Sequence, residues 1–146
     1  MRIAVLNGPN LNLLGKREPS VYGRETLADI ERRLRSLADT FGATLSFSQH
    51  NGEGELIEAI HALRGMCDGA LLNAGAYTHS SLAIRDALVA VEVPFVEVHL
   101  TNIFSREPER RHSMLAPAAI GVVCGFGADS YELALRGLVA RVVPRG

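Results

Sequence analysis

The chain has 146 residues, of which 47% are hydrophobic, and a formal net charge of −1 at pH 7. This length predicts a single domain over residues 1–146 and excludes two domains of ordinary size. The scattered charges argue against a nucleic-acid partner, and no apolar run approaches the roughly 20 residues of a membrane span. Because no signal-peptide pattern follows Met1, we expect a cytoplasmic protein.

Short apolar runs rich in Val, Ile and Leu recur along the chain. They alternate with longer stretches of helical periodicity, which is typical of parallel strands joined by crossover helices. The predicted strands are residues 3–6, 43–49, 70–73, 95–99 and 120–124.

The segment between the first two strands has the clearest helical pattern. Its apolar stripe consists of Leu27, Ile30, Leu34, Leu37 and Ala38. Thr26 and Asp29 have the spacing of a capping box before this stripe, and Gly42 follows it as a stop signal. Further helices are predicted at residues 53–64, 81–91 and 129–142. This order predicts an α/β chain with a flavodoxin-like three-layer sandwich around a five-stranded parallel sheet.

Polar side chains follow the predicted strands at the edge where open parallel sheets bind ligands. Asn10 follows the first strand, and Asn73 and His79 follow the third. Glu97 and His99 end the fourth strand. After them come Thr101, Arg106, Arg110 and Arg111. We expect these groups to converge on one site.

Glu97 and His99 are two residues apart on a strand, so their side chains leave the same face of the sheet. The carboxylate can then hold the imidazole in one tautomer, which suits a general acid. A lone histidine near a strand end is more often structural. Convergence with the polar loops favours the catalytic interpretation.

Residues 15–23 have glycine at both ends and Pro19 inside, which predicts a rigid lid over a pocket. This lid would carry Arg17 and Tyr22. An unperturbed tyrosine titrates near pH 10, but a nearby guanidinium favours the phenolate, which would make Tyr22 a base at neutral pH. The alternative is an exposed loop with an incidental tyrosine, because spacing does not prove that Arg17 and Tyr22 touch.

Arg106 and Arg110 are four residues apart, the spacing that places two side chains on one side of a helix. With Arg111 they could clamp a carboxylate. Solvated arginines beside Glu107 and Glu109 are the alternative.

The residue types also narrow the chemistry. Lys16 is the only lysine, and it lies in the predicted lid, away from an apolar pocket, so Schiff-base catalysis is not expected. The sequence has no dinucleotide fingerprint, phosphate loop, nucleophile elbow or acidic metal motif. We therefore expect a reaction without cofactor or metal.

Eight segments carry a resemblance to a known family. They are residues 6–15 (LNGPNLNLLG), 17–19 (REP), 22–23 (YG), 53–57 (EGELI), 76–79 (AYTH), 85–87 (RDA), 97–99 (EVH) and 125–127 (GFG). With these motifs the chain resembles the type II 3-dehydroquinate dehydratases over nearly its whole length. The resemblance implies trans-elimination of water from 3-dehydroquinate, a small anionic ring, to give 3-dehydroshikimate through an enolate. This is a step of the shikimate pathway of aromatic amino acid biosynthesis.

The resemblance implies a role for each proton-transfer residue. Tyr22 would remove the proton beside the ketone, and Arg17 would stabilise its phenolate. His99 would protonate the leaving hydroxyl, and Glu97 would orient His99. Asn10 would help to hold the water that stabilises the enolate oxygen.

It also implies binding residues and an assembly. The substrate's hydroxyls and carboxylate would be bound by Asn73, His79, the backbone of Leu100 and Thr101, Arg106 and Arg110. Asp86 would reach a neighbouring subunit's site in trimers, which assemble further into dodecamers.

Two other function classes stay open from the residues alone. A flavodoxin-like module could bind a flavin or a phosphorylated ligand without catalysis, because a fold does not by itself imply an activity. A metal enzyme could use His79, His99 and Glu97 as two histidines and a carboxylate.

Overall fold

The computed structural model describes residues 1–16 and 18–142, and a five-stranded parallel sheet lies at the centre of this part of the chain. Its strands are β1 (Arg2–Asn7), β2 (Thr44–Gln49), β3 (Gly69–Asn73), β4 (Phe95–His99) and β5 (Gly121–Cys124). They lie in the order β2-β1-β3-β4-β5, with every neighbouring pair parallel. The predicted sheet is confirmed, and each strand boundary falls within one residue of its prediction.

Helices cover both faces of the sheet. They are α1 (Pro19–Tyr22), α2 (Leu27–Thr40), α3 (Glu53–His61), α4 (Leu82–Val91) and α5 (Asp129–Arg141). The predicted capping box of α2 is confirmed, because the Thr26 hydroxyl accepts from the Asp29 amide at 3.1 Å and the Asp29 carboxylate accepts from the Thr26 amide at 2.9 Å. Within the described ranges, none of the helices has the length and apolar character needed to cross a membrane.

Helix α3 ends at His61, three residues earlier than predicted. The Leu63 amide donates to the Ile60 carbonyl and the Arg64 amide to the His61 carbonyl, so the chain tightens into shorter turns. Gly65 then adopts a φ of 75° and ends the helical direction. Apolar periodicity continues through these turns, which is why the sequence pattern placed the end too late.

The three layers follow from the alternation of side chains along each strand. On β1, Ile3 and Val5 pack in the core cluster that contains α2 and α5. Ala4 and Leu6, which point the other way, pack in the cluster that contains α3 and α4. Because both faces of the sheet are covered, the strands read as continuous apolar runs in the sequence.

The order in which strands are added to the sheet reverses between β1 and β3. The chain passes from β1 to β2 on one side of β1, and from β2 it crosses back to β3 on the other side of β1. Such a switch point opens a crevice at the carboxyl ends of the strands. The loops after β1 and β3 touch there, with the Gly8 amide donating to the Asn73 carbonyl at 2.7 Å. A Cβ added to Gly8 would lie 2.5 Å from the Ala74 carbonyl oxygen, so only glycine fits.

Candidate active site

A cavity of about 130 Å³ lies at this switch point. Nine residues that the sequence predicts for a site line it, namely Asn10, Tyr22, Asn73, His79, His99, Leu100, Thr101, Arg106 and Arg110. The volume is below the roughly 300–1,000 Å³ of pockets that take drug-sized ligands, which favours a small ring over a flavin.

Among the described residues, the predicted site residues Glu97 and Asp86 do not line the cavity. Glu97 is fully buried on β4 and contacts His99, which does line it. Asp86 is exposed on α4, away from the cavity of its own chain. Arg17 lies outside the described residues, so its contact with Tyr22 stays a prediction.

Glu97 and His99 form a buried pair, as predicted from their spacing. His99 Nε2 lies 2.8 Å from Glu97 Oε2, and the two side chains are 6% and 0% exposed. Because an ionised carboxylate only accepts hydrogen bonds, Nε2 carries the proton in this pair. Nδ1 is then the ring nitrogen that can exchange a proton with a ligand.

Ser113 holds the second oxygen of the same carboxylate. Its hydroxyl donates to Glu97 Oε1 at 2.6 Å, and its oxygen accepts from the Leu115 amide at 3.1 Å and the Ala116 amide at 3.0 Å. Both oxygens of Glu97 therefore have a partner, and the carboxylate cannot turn away from His99. Sequence reasoning missed Ser113, because no spacing rule connects a loop serine to a glutamate on a strand.

His79 lies beside His99, with the two ring centroids 6.3 Å apart. Its Nδ1 is 2.7 Å from the His112 carbonyl oxygen, so Nδ1 donates and Nε2 is the acceptor of the neutral ring. Burial lowers the pKa of His79 below its usual value, although the bond to His112 opposes this effect. A neutral His79 suits a ligand hydroxyl that donates a hydrogen bond.

Tyr22 is half-buried and contacts Arg106. Arg106 Nη1 donates to the Tyr22 hydroxyl oxygen at 3.0 Å, and the guanidinium carbon lies 5.2 Å from the centre of the tyrosine ring. The sequence predicted a guanidinium at Tyr22 but assigned Arg106 only to ligand binding. Among the described residues, Arg106 is thus a guanidinium that can stabilise a Tyr22 phenolate.

The helical spacing predicted for Arg106 and Arg110 is wrong, although both side chains line the cavity. Two separate 3-10 turns, Ile103–Ser105 and Pro108–Arg110, replace a continuous helix. Glu107 has an extended conformation with ψ of 149°, which its position before Pro108 favours. Arg111 is exposed and donates to the Arg106 carbonyl at 2.6 Å, so it does not join the pair at the cavity.

Residues 15–23 place Tyr22 through the short helix α1, which the sequence did not predict. Pro19 starts this helix at a position where a missing amide hydrogen costs nothing. Gly15 and Gly23 have φ values of 87° and 84°, which glycine adopts without strain. The closure of this segment as a lid stays a prediction.

Asn10 is held by a neighbouring loop that the sequence did not associate with it. It has a φ of 69°, a left-handed conformation that asparagine tolerates. The backbone N–H of Asn10 donates to Asn51 Oδ1 at 3.0 Å, and Gln49 Nε2 donates to the same oxygen at 2.9 Å. The Tyr77 hydroxyl donates to the Asn51 carbonyl at 2.9 Å. These contacts fix the loop after β1 at the edge of the cavity.

The metal alternative does not fit the geometry. Across residues 1–16 and 18–142, no group of three or more His, Cys, Asp or Glu side chains is placed to hold a metal ion. Glu97 already bonds to His99 and Ser113.

Comparison with known proteins gives information that is independent of this geometry. The family model described as Dehydroquinase class II matches residues 1–139. A 3-dehydroquinate dehydratase of Gemmatimonas aurantiaca is 63% identical, over 95% of this chain and 91% of that protein. One of Prochlorococcus marinus is 58% identical, over 96% and 97%. The crystal structure of a type II dehydroquinase from Butyrivibrio crossotus has a TM-score of 0.92 at 38% identity, over 94% of this chain and 97% of that one.

Proposed function

Since this chain belongs to the class II dehydroquinase family, it is a 3-dehydroquinate dehydratase, a hydro-lyase of the shikimate pathway, and we propose that the switch-point cavity is its active site. The resemblance carried by the sequence motifs is confirmed. One observation supports the assignment to the cavity: the His99 of the buried Glu97–His99 pair and the Tyr22–Arg106 pair line the same small space. The alternative of a flavin-binding module without catalysis has no support in these relatives.

In the proposed reaction, Tyr22 is the base that removes the proton beside the ketone. Arg106 supports this role, because its Nη1 donates to the Tyr22 hydroxyl oxygen at 3.0 Å and can stabilise negative charge that develops on that oxygen. Arg17 stabilises the same phenolate, as the family resemblance implies. Asn10 helps to hold the water that stabilises the enolate oxygen as negative charge develops there.

His99 then protonates the leaving hydroxyl, which departs as water while the enolate collapses to the conjugated ketone. In a trans-elimination the proton and the hydroxyl leave from opposite faces of the ring. Tyr22 approaches the cavity from α1, whereas His99 extends from the end of β4, which supports this division. Glu97 stabilises the charged imidazolium and keeps its orientation.

The remaining lining residues bind the substrate. Ring hydroxyls contact Asn73, His79 and the backbone of Leu100 and Thr101. Arg110, with Arg106 close by, binds the carboxylate. The Glu107 carboxylate supports this arrangement, because it lies 3.0 Å from Arg110 Nε and 3.4 Å from Arg106 Nε and holds the two guanidiniums near each other.

We further propose that residues 1–146 form one catalytic domain, which assembles into trimers and then a dodecamer in the cytoplasm. Asp86 motivates the trimer, because it is exposed on α4 and available to a neighbouring subunit's site. Light scattering at micromolar concentration measures the assembly. A single species near 15.7 kDa would contradict it.

The experiment that tests the function is a spectrophotometric assay of the purified protein with 3-dehydroquinate. Dehydration produces an enone, which absorbs in the near ultraviolet. We expect turnover without added cofactor, and we expect it to survive exhaustive chelation and borohydride treatment in the presence of substrate. Absence of the enone would contradict the activity. Loss on chelation with recovery on metal addition, or labelling of Lys16, would contradict the mechanism.

A further inference from the structure

Tyr131 is a fully buried tyrosine that the proposed mechanism does not use. It lies on α5, and its hydroxyl reaches the ends of two strands. The hydroxyl donates to Asn7 Oδ1 at 2.6 Å, at the end of β1, and accepts from Asn73 Nδ2 at 2.9 Å, at the end of β3. Asn7 and Asn73 are 0% and 4% exposed, so water has little access to this set of groups.

The bonds through Asn7, Tyr131 and Asn73 form one chain, and a backbone group at each end of this chain sets the direction of its hydrogen bonds. Asn7 Nδ2 donates to the Ser48 carbonyl at 3.1 Å, and the Gly75 amide donates to Asn73 Oδ1 at 3.1 Å. A carbonyl can only accept and an amide N–H can only donate, so neither end can be reversed.

The ends therefore favour one orientation of each asparagine side chain, but each backbone bond holds only one of the two polar atoms of its amide, and Tyr131 holds the other. Asn7 must present its oxygen to Tyr131, and Asn73 must present its nitrogen. The Tyr131 hydroxyl satisfies both at once, because its single proton goes to Asn7 and its oxygen accepts from Asn73. Turning either amide over would bring two donors or two acceptors together in a buried place, which is costly.

We propose that Tyr131 is a positioning residue for substrate binding, which turns the Asn73 amide so that its second N–H faces the cavity as a donor to a substrate hydroxyl. One Asn73 Nδ2 hydrogen is used by Tyr131, and the other is left for the cavity that Asn73 lines. This inference rests on the proposed function of the cavity, since it names the donor that Asn73 offers there.

Two properties of Tyr131 suit this role. Burial raises the pKa of Tyr131 above the usual value of tyrosine, so the hydroxyl keeps its proton and the direction of the hydrogen bonds does not reverse with pH. The phenol ring packs in the core cluster with Leu135 and Leu138 of the same helix. A phenylalanine would provide that packing equally well, so the hydroxyl needs a separate explanation.

The test compares Tyr131→Phe with Ser130→Ala. The first variant removes the hydroxyl and keeps the ring. Ser130 is a matched control, because it is equally buried and its hydroxyl oxygen accepts from the Phe126 amide at 3.0 Å without lining the cavity. Tyr131→Phe should raise the KM for 3-dehydroquinate roughly tenfold at nearly unchanged kcat. Ser130→Ala should lower Tm and leave KM unchanged.

A double-variant cycle shows whether Tyr131 acts through Asn73. In an Asn73→Ala background, Tyr131→Phe should raise KM no further, because the amide that it orients is already gone. A lower Tm with the parent's KM would overturn the proposal in favour of a purely structural role. So would the same increase in KM in both backgrounds.

Crystal structures of the variants make the test independent of activity. In Tyr131→Phe the Asn73 amide should turn or shift, and in Ser130→Ala it should stay in place. An unmoved amide would overturn the positioning role even if the parent enzyme turns over its substrate. A parent that forms no enone would instead overturn the proposed function, while the amide still decides the positioning role.

Asn7→Ala provides a second variant if Tyr131→Phe does not fold. It removes the acceptor of the Tyr131 proton from the opposite side, so the hydroxyl is free to donate to Asn73 and disturb its orientation. KM should rise as in Tyr131→Phe. An unchanged KM in Asn7→Ala would overturn the proposal.

Discussion

Asn73 and His99 extend from strand ends and form the floor of the cavity, with Glu97 buried behind His99, whereas Tyr22, Arg106 and Arg110 reach the cavity from short turns and form its rim. The floor residues are no more than 5% exposed, and each has a partner inside the protein. The rim residues are half-buried and contact surface groups such as Glu107.

This difference separates two requirements of the site. Groups that must keep one orientation are placed on rigid strands, where buried hydrogen bonds fix them before the substrate binds. The rim groups lie on turns, and their half-buried side chains suit the movement that substrate entry would require. Variants of the rim should therefore affect substrate binding or proton removal. Variants of the floor should affect how the substrate and the acid His99 are oriented.

The largest expected effect comes from the rim residue proposed as the base. Tyr22→Phe should lower kcat by about three orders of magnitude or more, with little change in substrate binding because the ring is retained. Tyr77→Phe is the matched comparison, since Tyr77 does not line the cavity and its hydroxyl reaches the Asn10 loop only through the Asn51 carbonyl, so its loss of kcat should be far smaller. Steady-state kinetics measures both. Retention of more than about a tenth of kcat in Tyr22→Phe would remove Tyr22 as the base.

Variants of the two arginines assigned to Tyr22 test whether a guanidinium supports the base. Arg17→Ala and Arg106→Ala should each lower kcat, because negative charge on the Tyr22 oxygen loses stabilisation. Neither loss should add fully to that of Tyr22→Phe, since both remove the same function. Retention of the parent's kcat in both arginine variants would contradict this role.

A smaller effect is expected at the part of the rim that is proposed to bind the carboxylate. Arg110→Ala should raise KM by about one to two orders of magnitude, corresponding to a charge-assisted hydrogen bond of about 1.5–3 kcal/mol. Arg111→Ala is the control, because Arg111 is the next residue but is exposed outside the cavity. Equal increases in both variants would indicate a general charge effect rather than a specific clamp.

The opposite kinetic behaviour is expected where Ser113 supports the Glu97–His99 pair from behind the floor. Ser113→Ala removes the donor to Glu97 Oε1 and should lower kcat by about tenfold with little change in KM, because His99 loses its fixed orientation. Ser105→Ala removes a hydroxyl that donates to the Asn102 carbonyl at the surface, and it should match the parent. An effect of Ser113→Ala on KM alone would contradict its role in orienting His99 through Glu97.

The smallest expected effect concerns stability at low pH. Burial lowers the pKa of His79, so the unfolded chain takes up this proton more readily than the folded protein. Its contribution to stability is present above the usual histidine pKa of about 6.5 and is lost as the pH falls through the lower folded-state value. His79→Gln should therefore reduce the fall in Tm between about pH 7 and pH 5. Thermal unfolding measures this, and a fall as large as the parent's would contradict it.

The sequence by itself determined the five strands, the four longer helices and their order. The apolar stripe of α2 and the Thr26–Asp29 capping box depend on neighbours within four residues, and both are found in the structure. The Glu97–His99 pair is similarly local, because a two-residue spacing on a strand is enough to place both side chains on one face. The strand boundaries were predictable for the same reason.

Tertiary structure alone decided how the site residues are held. Tyr131 and Asn7 are 124 positions apart, and Arg106 meets Tyr22 across 84 positions. No periodicity encodes such contacts, because they depend on the order of the strands and on where each connecting turn ends. The four-residue spacing of Arg106 and Arg110 predicted a helix that Pro108 prevents, yet the fold still brings both guanidiniums to the cavity. Local patterns fix which way a side chain leaves its own element, while its partner is set by the packing of elements that are distant in the chain.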